Sequence, residues 1–408
     1  MNYNKPRLFY YRTAQAVSWL VSKLMFRRKI LRNEIKEVDG PFVVIANHQA
    51  SLDFVNLIGM TKRPMTFVIS NSFYSTLPVK GFMDKMGVIP KQQFQTSIKD
   101  MKLMKAVTDA GQPLVIYPAG LMCEDGLSTP IPAATYKFLK WLKADIYVAR
   151  TSGTYFAMPK WTKGFRPGRT YMDVYKLFTK EELANADISE IREKTENAIL
   201  FDAYREQEEL RIKYANNSDI RGLEHVLYMC PHCKSEFTIV SKETNKLCCT
   251  NCGYEQSFDA YAFMHKTGSV GQEIRYVSDW SKLIYTELKD KIRDGVSNTL
   301  SASAKICMID EKTNKFTEAG RGIVTLSPAG FNINGTMRGE AVDLDISIAN
   351  VPSLPFSPGK YLEVQRGNTI YRCYPDDGKL VMKFINMIKI FYELDRELTK
   401  SDKLSEAN

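Results

Sequence analysis

Four short apolar runs, FVVIAN (42–47), PMTFVIS (64–70), PLVIYP (113–118) and DIYVAR (145–150), alternate with stretches of helical periodicity such as SIKDMKLMKAVTDAG and AATYKFLKWLK. A strand that is apolar at every position has no face for water, so it must be covered on both sides. A sheet layered between helices does this. Residues 36–220 are therefore expected to form an α/β domain. The acidic stretch DISEIREKTENAILFDAYREQEELRIKY, with Asp187 as a candidate helix cap, closes it.

The run FVVIA stops at Asn47-His48, and Asp53 follows five positions after the histidine. In parallel α/β layers, reactive side chains collect where strands end, because the sheet holds them rigidly while the loop leaves them open. Ser51 is a candidate cap for the helix SLDFVNLIGM, which would set Asp53 in its first turn. A carboxylate there can fix the imidazole tautomer and leave the other nitrogen to take a proton from a hydroxyl. By itself the H-x-x-x-x-D spacing favours a structural histidine capping a turn.

Further segments follow in a fixed order. NHQASLD, GVIPKQQ (87–93) and YPAGLMCEDG (117–126) resemble the first three motifs of the glycerolipid (lysophosphatidate) acyltransferase family, and DIYVARTSG stands where the fourth lies. The resemblance covers about residues 1–180. It implies direct acyl transfer from a thioester, acyl carrier protein or coenzyme A, to the free hydroxyl of a lysophospholipid. His48 would be the general base, Asp53 its partner, and Asn47, Lys91, Ala119, Gly120 and Arg150 would line the substrate site. Lys91 and Arg150 would meet the acceptor's phosphate, although each could equally be a solvated surface charge. Three positions depart from the family pattern: Ala119 stands where a glutamate is usual, Leu121-Met122 replaces Thr-Arg, and the second-motif arginine falls near Gln93. Two further readings stay open, a catalytically weak protein of this fold that binds lipid or acyl carrier, and a zinc-ribbon adaptor.

CPHCKSEFTIVSKETNKLCCTNCG contains Cys230-x₂-Cys233 and Cys249-x₂-Cys252, separated by fifteen residues. That spacing suits a four-thiolate zinc ribbon, with Gly253 in the second tight turn. Four thiolates leave no open position, so the metal is expected to be structural. Disulfides are the competing reading, disfavoured in a reducing compartment. Lys234, Lys242 and Lys246 are too few, without stacked aromatics, to argue for nucleic acid.

Lys and Arg number 56 against 46 Asp and Glu, a net charge of +10. Lys5, Arg7, Arg12, Lys23, Arg27, Arg28, Lys29 and Arg32 all precede the first acidic residue, Glu34, and are mixed with Phe9, Tyr10, Trp19, Leu20 and Leu24. Residues 1–35 are read as a basic amphipathic helix, lying in the headgroup layer of an anionic membrane or packed on its own domain. No apolar run approaches the ~18 residues of a membrane span, and no secretory signal is evident in the first thirty residues. The expected location is cytoplasmic, peripheral on the inner face of a membrane. Residues 225–260 are assigned to the ribbon and 261–302 to a helical linker. Residues 303–398 are expected to form a β-rich PH/GRAM-like domain closed by a helix with Leu380, Phe384, Met387, Ile388, Phe391 and Leu394 on one face, and 399–408 a polar tail.

Overall fold

The computed structural model describes residues 3–405 apart from 77–78, 94–96, 217, 297, 311–312 and 349–350, with side chains through residue 397. The chain divides into two compact units, Met1–Asn217 with Ala260–Ala262, and Ser218–Asp259 with Phe263–Asn408.

The first unit is built on strands β1 (Lys29–Asn33), β2 (Phe42–Ala46), β3 (Thr66–Ser70), β4 (Ile89–Lys91), β5 (Leu114–Ile116), β6 (Asp145–Ser152) and β7 (Tyr171–Phe178), in the order β1-β7-β6-β2-β5-β3-β4. All neighbours are parallel except β6 and β7. The alternation of side chains along β2 explains why every residue of it is buried. Val43 and Ile45 face a cluster with Leu114, Ile146, Tyr136, Leu139 and Ile191, whereas Phe42, Val44 and Ala46 face another with Tyr11, Leu57, Ile58 and Met60. The acidic stretch forms two helices, Ile188–Ile199 capped by Asp187 and Ala203–Leu210 capped by Asp202.

Residues 1–35 are not one helix. Helix α1 (Leu8–Leu24) ends before a turn in which Arg27 adopts φ 43°, and residues 29–33 become edge strand β1, with the Lys29 amide bonded to Thr170 O at 2.9 Å. The burial of α1 is inverted. Tyr11, Ser18 and Ser22 face the protein, with Ser22 Oγ donating to Val55 O at 3.0 Å and Gln15 Nε2 to Thr61 O at 2.9 Å, while Phe9, Val17, Trp19, Leu20 and Leu24 are exposed. Among the described residues no helix is long and apolar enough to cross a membrane.

The second unit contains a four-stranded antiparallel sheet of β8 (Ile239–Lys242), β9 (Lys246–Cys249), β10 (Glu255–Phe258) and β11 (Met264–Lys266). Its larger sheet runs β15-β14-β13-β12-β18-β17-β16, all antiparallel: β12 (Leu300–Asp310), β13 (Lys315–Ser327), β14 (Gly330–Met337), β15 (Glu340–Ile346), β16 (Phe356–Ser357), β17 (Tyr361–Arg366) and β18 (Thr369–Pro375). The segment expected as a linker holds a buried helix, Val277–Arg293, whose Trp280 indole donates to Met229 O at 2.8 Å. This bond ties the helix to the residue just before the first cysteine pair. The last helix runs from Leu380 to Ser405, beyond the expected start of the tail at 399. Phe384, Met387 and Ile388 are buried as expected, but Val381, Ile385 and Ile390 are buried too, and Leu380, Phe391 and Leu394 only partly, so its first turns are covered on more than one stripe.

Candidate active site and cysteine centre

Parallel pairing brings the carboxyl ends of β2, β5 and β6 to one edge of the sheet. Ile45 lies opposite Ile116, and Ala46 opposite Ala149. Asn47-His48 and Tyr117 to Gly120, just beyond β2 and β5, thereby neighbour Arg150-Thr151 near the end of β6, as the rule for ligand sites in parallel sheets expects.

His48 Nδ1 lies 3.0 Å from Asp53 Oδ2, with the histidine side chain 21% exposed and the aspartate 1%. The same Oδ2 accepts from the amides of Gln49 at 2.7 Å and Ala50 at 2.9 Å. Here the structure differs from the expectation for Ser51. The helix begins at Asp53 itself (α2, Asp53–Leu57), and its N-cap is Leu52, without a side-chain bond. The turn is closed by Asp53, whose carboxylate satisfies the amides preceding the helix. With Oδ2 an acceptor on every side, Nδ1 is the donor of that bond, and Nε2 is the ring nitrogen that Asp53 does not engage.

Residues 27–157 match the family profile described as Acyltransferase. The first unit carries a domain of the acyltransferase family. Among solved structures the chain is similar to the 1-acyl-sn-glycerophosphate (LPA) acyltransferase of Thermotoga maritima, at 15% identity and TM-score 0.40, over 50% of this chain and 78% of that one. It is also similar to the Ran binding domain of the nuclear complex component Nup2 from Ashbya gossypii, at 13% identity and TM-score 0.19, over 23% of this chain and 98% of that one.

In this acyltransferase domain several expected substrate-binding residues have other occupations. Asn47 is buried, its Nδ2 donating to Thr151 O and its Oδ1 accepting from Thr151 N, both at 2.8 Å. Its amide therefore ties the end of β2 to β6 and is not presented to a ligand. Arg150, expected at a phosphate, donates to Ala198 O at 2.9 Å, Leu200 O at 3.2 Å and Glu206 Oε1 at 2.6 Å. It fastens the two acidic helices to the sheet. Burial raises the Glu206 carboxyl above its usual range, and Arg150 opposes that shift. Lys91 ends β4, three strands from β2 in the sheet order. Burial lowers its pKa, with Asp100 opposing, and its ammonium donates to Gln92 O at 3.1 Å.

Ala119 and Gly120 form the turn after β5. The Gly120 amide returns to Tyr117 O at 3.0 Å with φ +71°, a conformation that favours glycine, and its carbonyl accepts from Gln93 Nε2 at 2.5 Å. This bond links the second and third motif segments through an amide side chain. Sequence reasoning missed Gln49, Tyr117 and Glu206. Gln49 Oε1 accepts from Thr154 Oγ1 and Tyr155 N, both at 3.2 Å, and the Tyr117 ring lies on His48 with centroids 4.5 Å apart. An aromatic residue directly after the apolar run LVI was the available signal for Tyr117. Glu206 lies outside every motif segment and carried none.

The thiol sulfurs of Cys230, Cys233, Cys249 and Cys252 all lie within 4.8 Å of one another. Cys230 to Cys252 and Cys233 to Cys249 are each 3.7 Å apart. A tetrahedron with metal–sulfur bonds of ~2.3 Å has edges of about 3.8 Å, so the four sulfurs fit zinc. They are too far apart for disulfides, whose sulfurs sit at ~2.05 Å. Each pair caps the same kind of turn, Lys234 N to Cys230 O at 3.1 Å and Gly253 N to Cys249 O at 3.0 Å, with Gly253 at φ +74°. Asn251 Nδ2 donates to Cys233 Sγ at 3.6 Å, and Thr238 Oγ1 lies 3.3 Å from Cys249 Sγ, polar contacts suited to thiolates. His232 and Cys248 are outside the cluster.

Proposed function

We propose that this chain is a peripheral membrane acyltransferase moving an acyl group from an acyl-thioester, on acyl carrier protein or coenzyme A, to the free hydroxyl of a lysophospholipid such as lysophosphatidate. The observation that carries the reading is the Asp53–His48 pair at the carboxyl edge of the sheet, within the segment that matches the acyltransferase family. His48 Nε2 takes the proton of the acceptor hydroxyl as its oxygen bonds to the thioester carbonyl carbon. The C–S bond then breaks, and the departing thiolate recovers the proton from the imidazolium. Asp53 holds the tautomer and offsets the positive charge. Lys91, Ala119 and Gly120 line the acceptor side, with Lys91 as the cation for a phosphate, while Asn47 and Arg150 keep the strand ends and acidic helices in position. Structural zinc on Cys230, Cys233, Cys249 and Cys252 would bind the ribbon turns together, between the acyltransferase domain and a PH/GRAM-like β-domain over 303–398. The exposed hydrocarbon of α1, flanked by Arg12 and Lys23, supports contact with an anionic membrane on its cytoplasmic side.

One observation favours a second reading, a lipid or acyl-carrier binder without turnover. Ala119 ends at its Cβ where the family's glutamate is usual, and Arg150 is committed to Glu206. Thioester consumption with a panel of lysophospholipids distinguishes the two, run on the wild type, His48→Ala and Ala119→Glu. Turnover that disappears in His48→Ala supports the enzyme. Turnover only in Ala119→Glu supports the binder.

A further inference from the structure

The Tyr117 ring lies against the imidazole ring of the base. It stands just past the end of β5, where the pairing of Ile45 with Ile116 brings it beside the turn after β2. The two ring planes are 38° apart with centroids at 4.5 Å. The Asp53 bond fixes His48 at Nδ1, and the backbone is tied by Cys123 N to His48 O at 3.3 Å, but the imidazole can still rock about the Nδ1 bond. The Tyr117 ring blocks that motion on one side. Burial, and after it the negative charge of Asp53, holds the phenol proton in place far above its usual range, so the ring stays neutral. A neutral aromatic face attracts a cation, and it attracts neutral imidazole much less.

We infer that Tyr117 is a positioning residue for the acyl transfer: its ring keeps Nε2 aimed at the acceptor and stabilises the imidazolium formed when His48 takes the hydroxyl proton. The inference rests on His48 being the general base. Because the attraction grows only as the positive charge develops, it acts on kcat more than on KM.

The test compares the full-length wild type with Tyr117→Phe, Tyr117→Leu and His48→Ala, measuring kcat and KM for acyl transfer from a thioester to lysophosphatidate together with the Tm of each protein. Tyr117→Leu is expected to lose about 5- to 30-fold in kcat, the range of a cation–aromatic contact as it becomes desolvated, with KM within about twofold. Tyr117→Phe keeps the ring and is expected within about twofold of the wild type in both constants. A wild-type kcat in Tyr117→Leu would overturn the inference, and so would a Phe variant as slow as the Leu variant, since the hydroxyl and not the ring face would then matter. If Tyr117→Leu does not fold, Tyr117→Phe decides alone: a kcat lower by about fivefold or more overturns the inference, and a kcat within about twofold of the wild type supports it. Activity retained by His48→Ala overturns the general-base reading itself. An inactive His48→Ala beside an unimpaired Tyr117→Leu removes only the role of the ring.

Discussion

Asp53→Asn isolates charge from geometry at the base. All three donors to Asp53, from His48, Gln49 and Ala50, converge on Oδ2, while Oδ1 is buried without a partner among the described residues. An asparagine can set its carbonyl oxygen at the Oδ2 position and its amide at the Oδ1 position. The tautomer of His48 and the turn before α2 are then preserved. What disappears is the attraction between the carboxylate and the imidazolium. From an Nδ1 to Oδ2 distance of 3.0 Å, the charge centres are about 4 Å apart, and at an effective dielectric constant of about 20 this is worth about 4 kcal/mol. The expected loss in kcat is about 10³-fold. KM should stay near the wild-type value, because the lost attraction acts on the charge that develops as the proton is transferred. Stability should fall by about 3 kcal/mol or more, as three charge-assisted bonds become neutral and one buried amide is left unpaired. The assay is thiol release from an acyl-thioester with lysophosphatidate as acceptor, with a thermal melt of each protein. A kcat within about tenfold of wild type, alongside an inactive His48→Ala, would refute the claim that the carboxylate's charge drives the base.

Glu206→Gln should leave stability at neutral pH within about 1 kcal/mol of the wild type, because glutamine stands in for the neutral carboxyl that burial favours and Arg150 keeps its two carbonyl partners. Burial raises the Glu206 pKa, so the folded chain holds that proton more tightly than the unfolded chain. Wild-type stability should therefore fall as pH rises from the ordinary carboxylate pKa through the raised one, and the glutamine variant should lack that part of the slope in denaturant titrations across acidic pH. Cys249→Ser should reduce bound zinc from about one per chain by elemental analysis and lower the unfolding midpoint of the second unit. Unchanged metal content would remove the thiolate centre. Gly335→Val should cost more than about 2 kcal/mol, since a Cβ there would meet Arg321 O at 2.3 Å and the Gly322 Cα at 2.4 Å, read as a drop in Tm. Phe9→Glu with Leu20→Glu should reduce co-sedimentation with anionic vesicles by about tenfold or more and leave Tm nearly unchanged, because these side chains are 76% and 50% exposed.

The local pattern of the chain is sufficient for its layers. Strands apolar at every position, such as FVVIA, have one stable environment, a sheet covered on both faces, and β2 occupies it. Asp187 and Ser97 mark helix starts because a side-chain oxygen reaches amides only two or three residues away. The C-x₂-C turns carry their own geometry in the same way, which is why the four-sulfur cluster was legible before any fold was known. The pairing of His48 with Asp53 was also within reach of the sequence, since both lie in one turn.

Contacts across the sheet were decided only by the tertiary structure. Asn47 meets Thr151, Arg150 meets Glu206, and Tyr117 meets His48 because strands distant in sequence run side by side, and no local spacing encodes which strands those are. The outward hydrocarbon of α1 is of the same kind. Its composition announces an amphipathic helix, yet either face can be buried, and the choice falls to the face of Ser22 and Gln15 because these two find hydrogen-bond partners around α2. Short-range sterics and periodicity thus mark the buried strands and several helix starts, though not the one expected at Ser51, whereas the substrate-facing or structural role of a polar side chain depends on what the fold brings within about 3 Å of it.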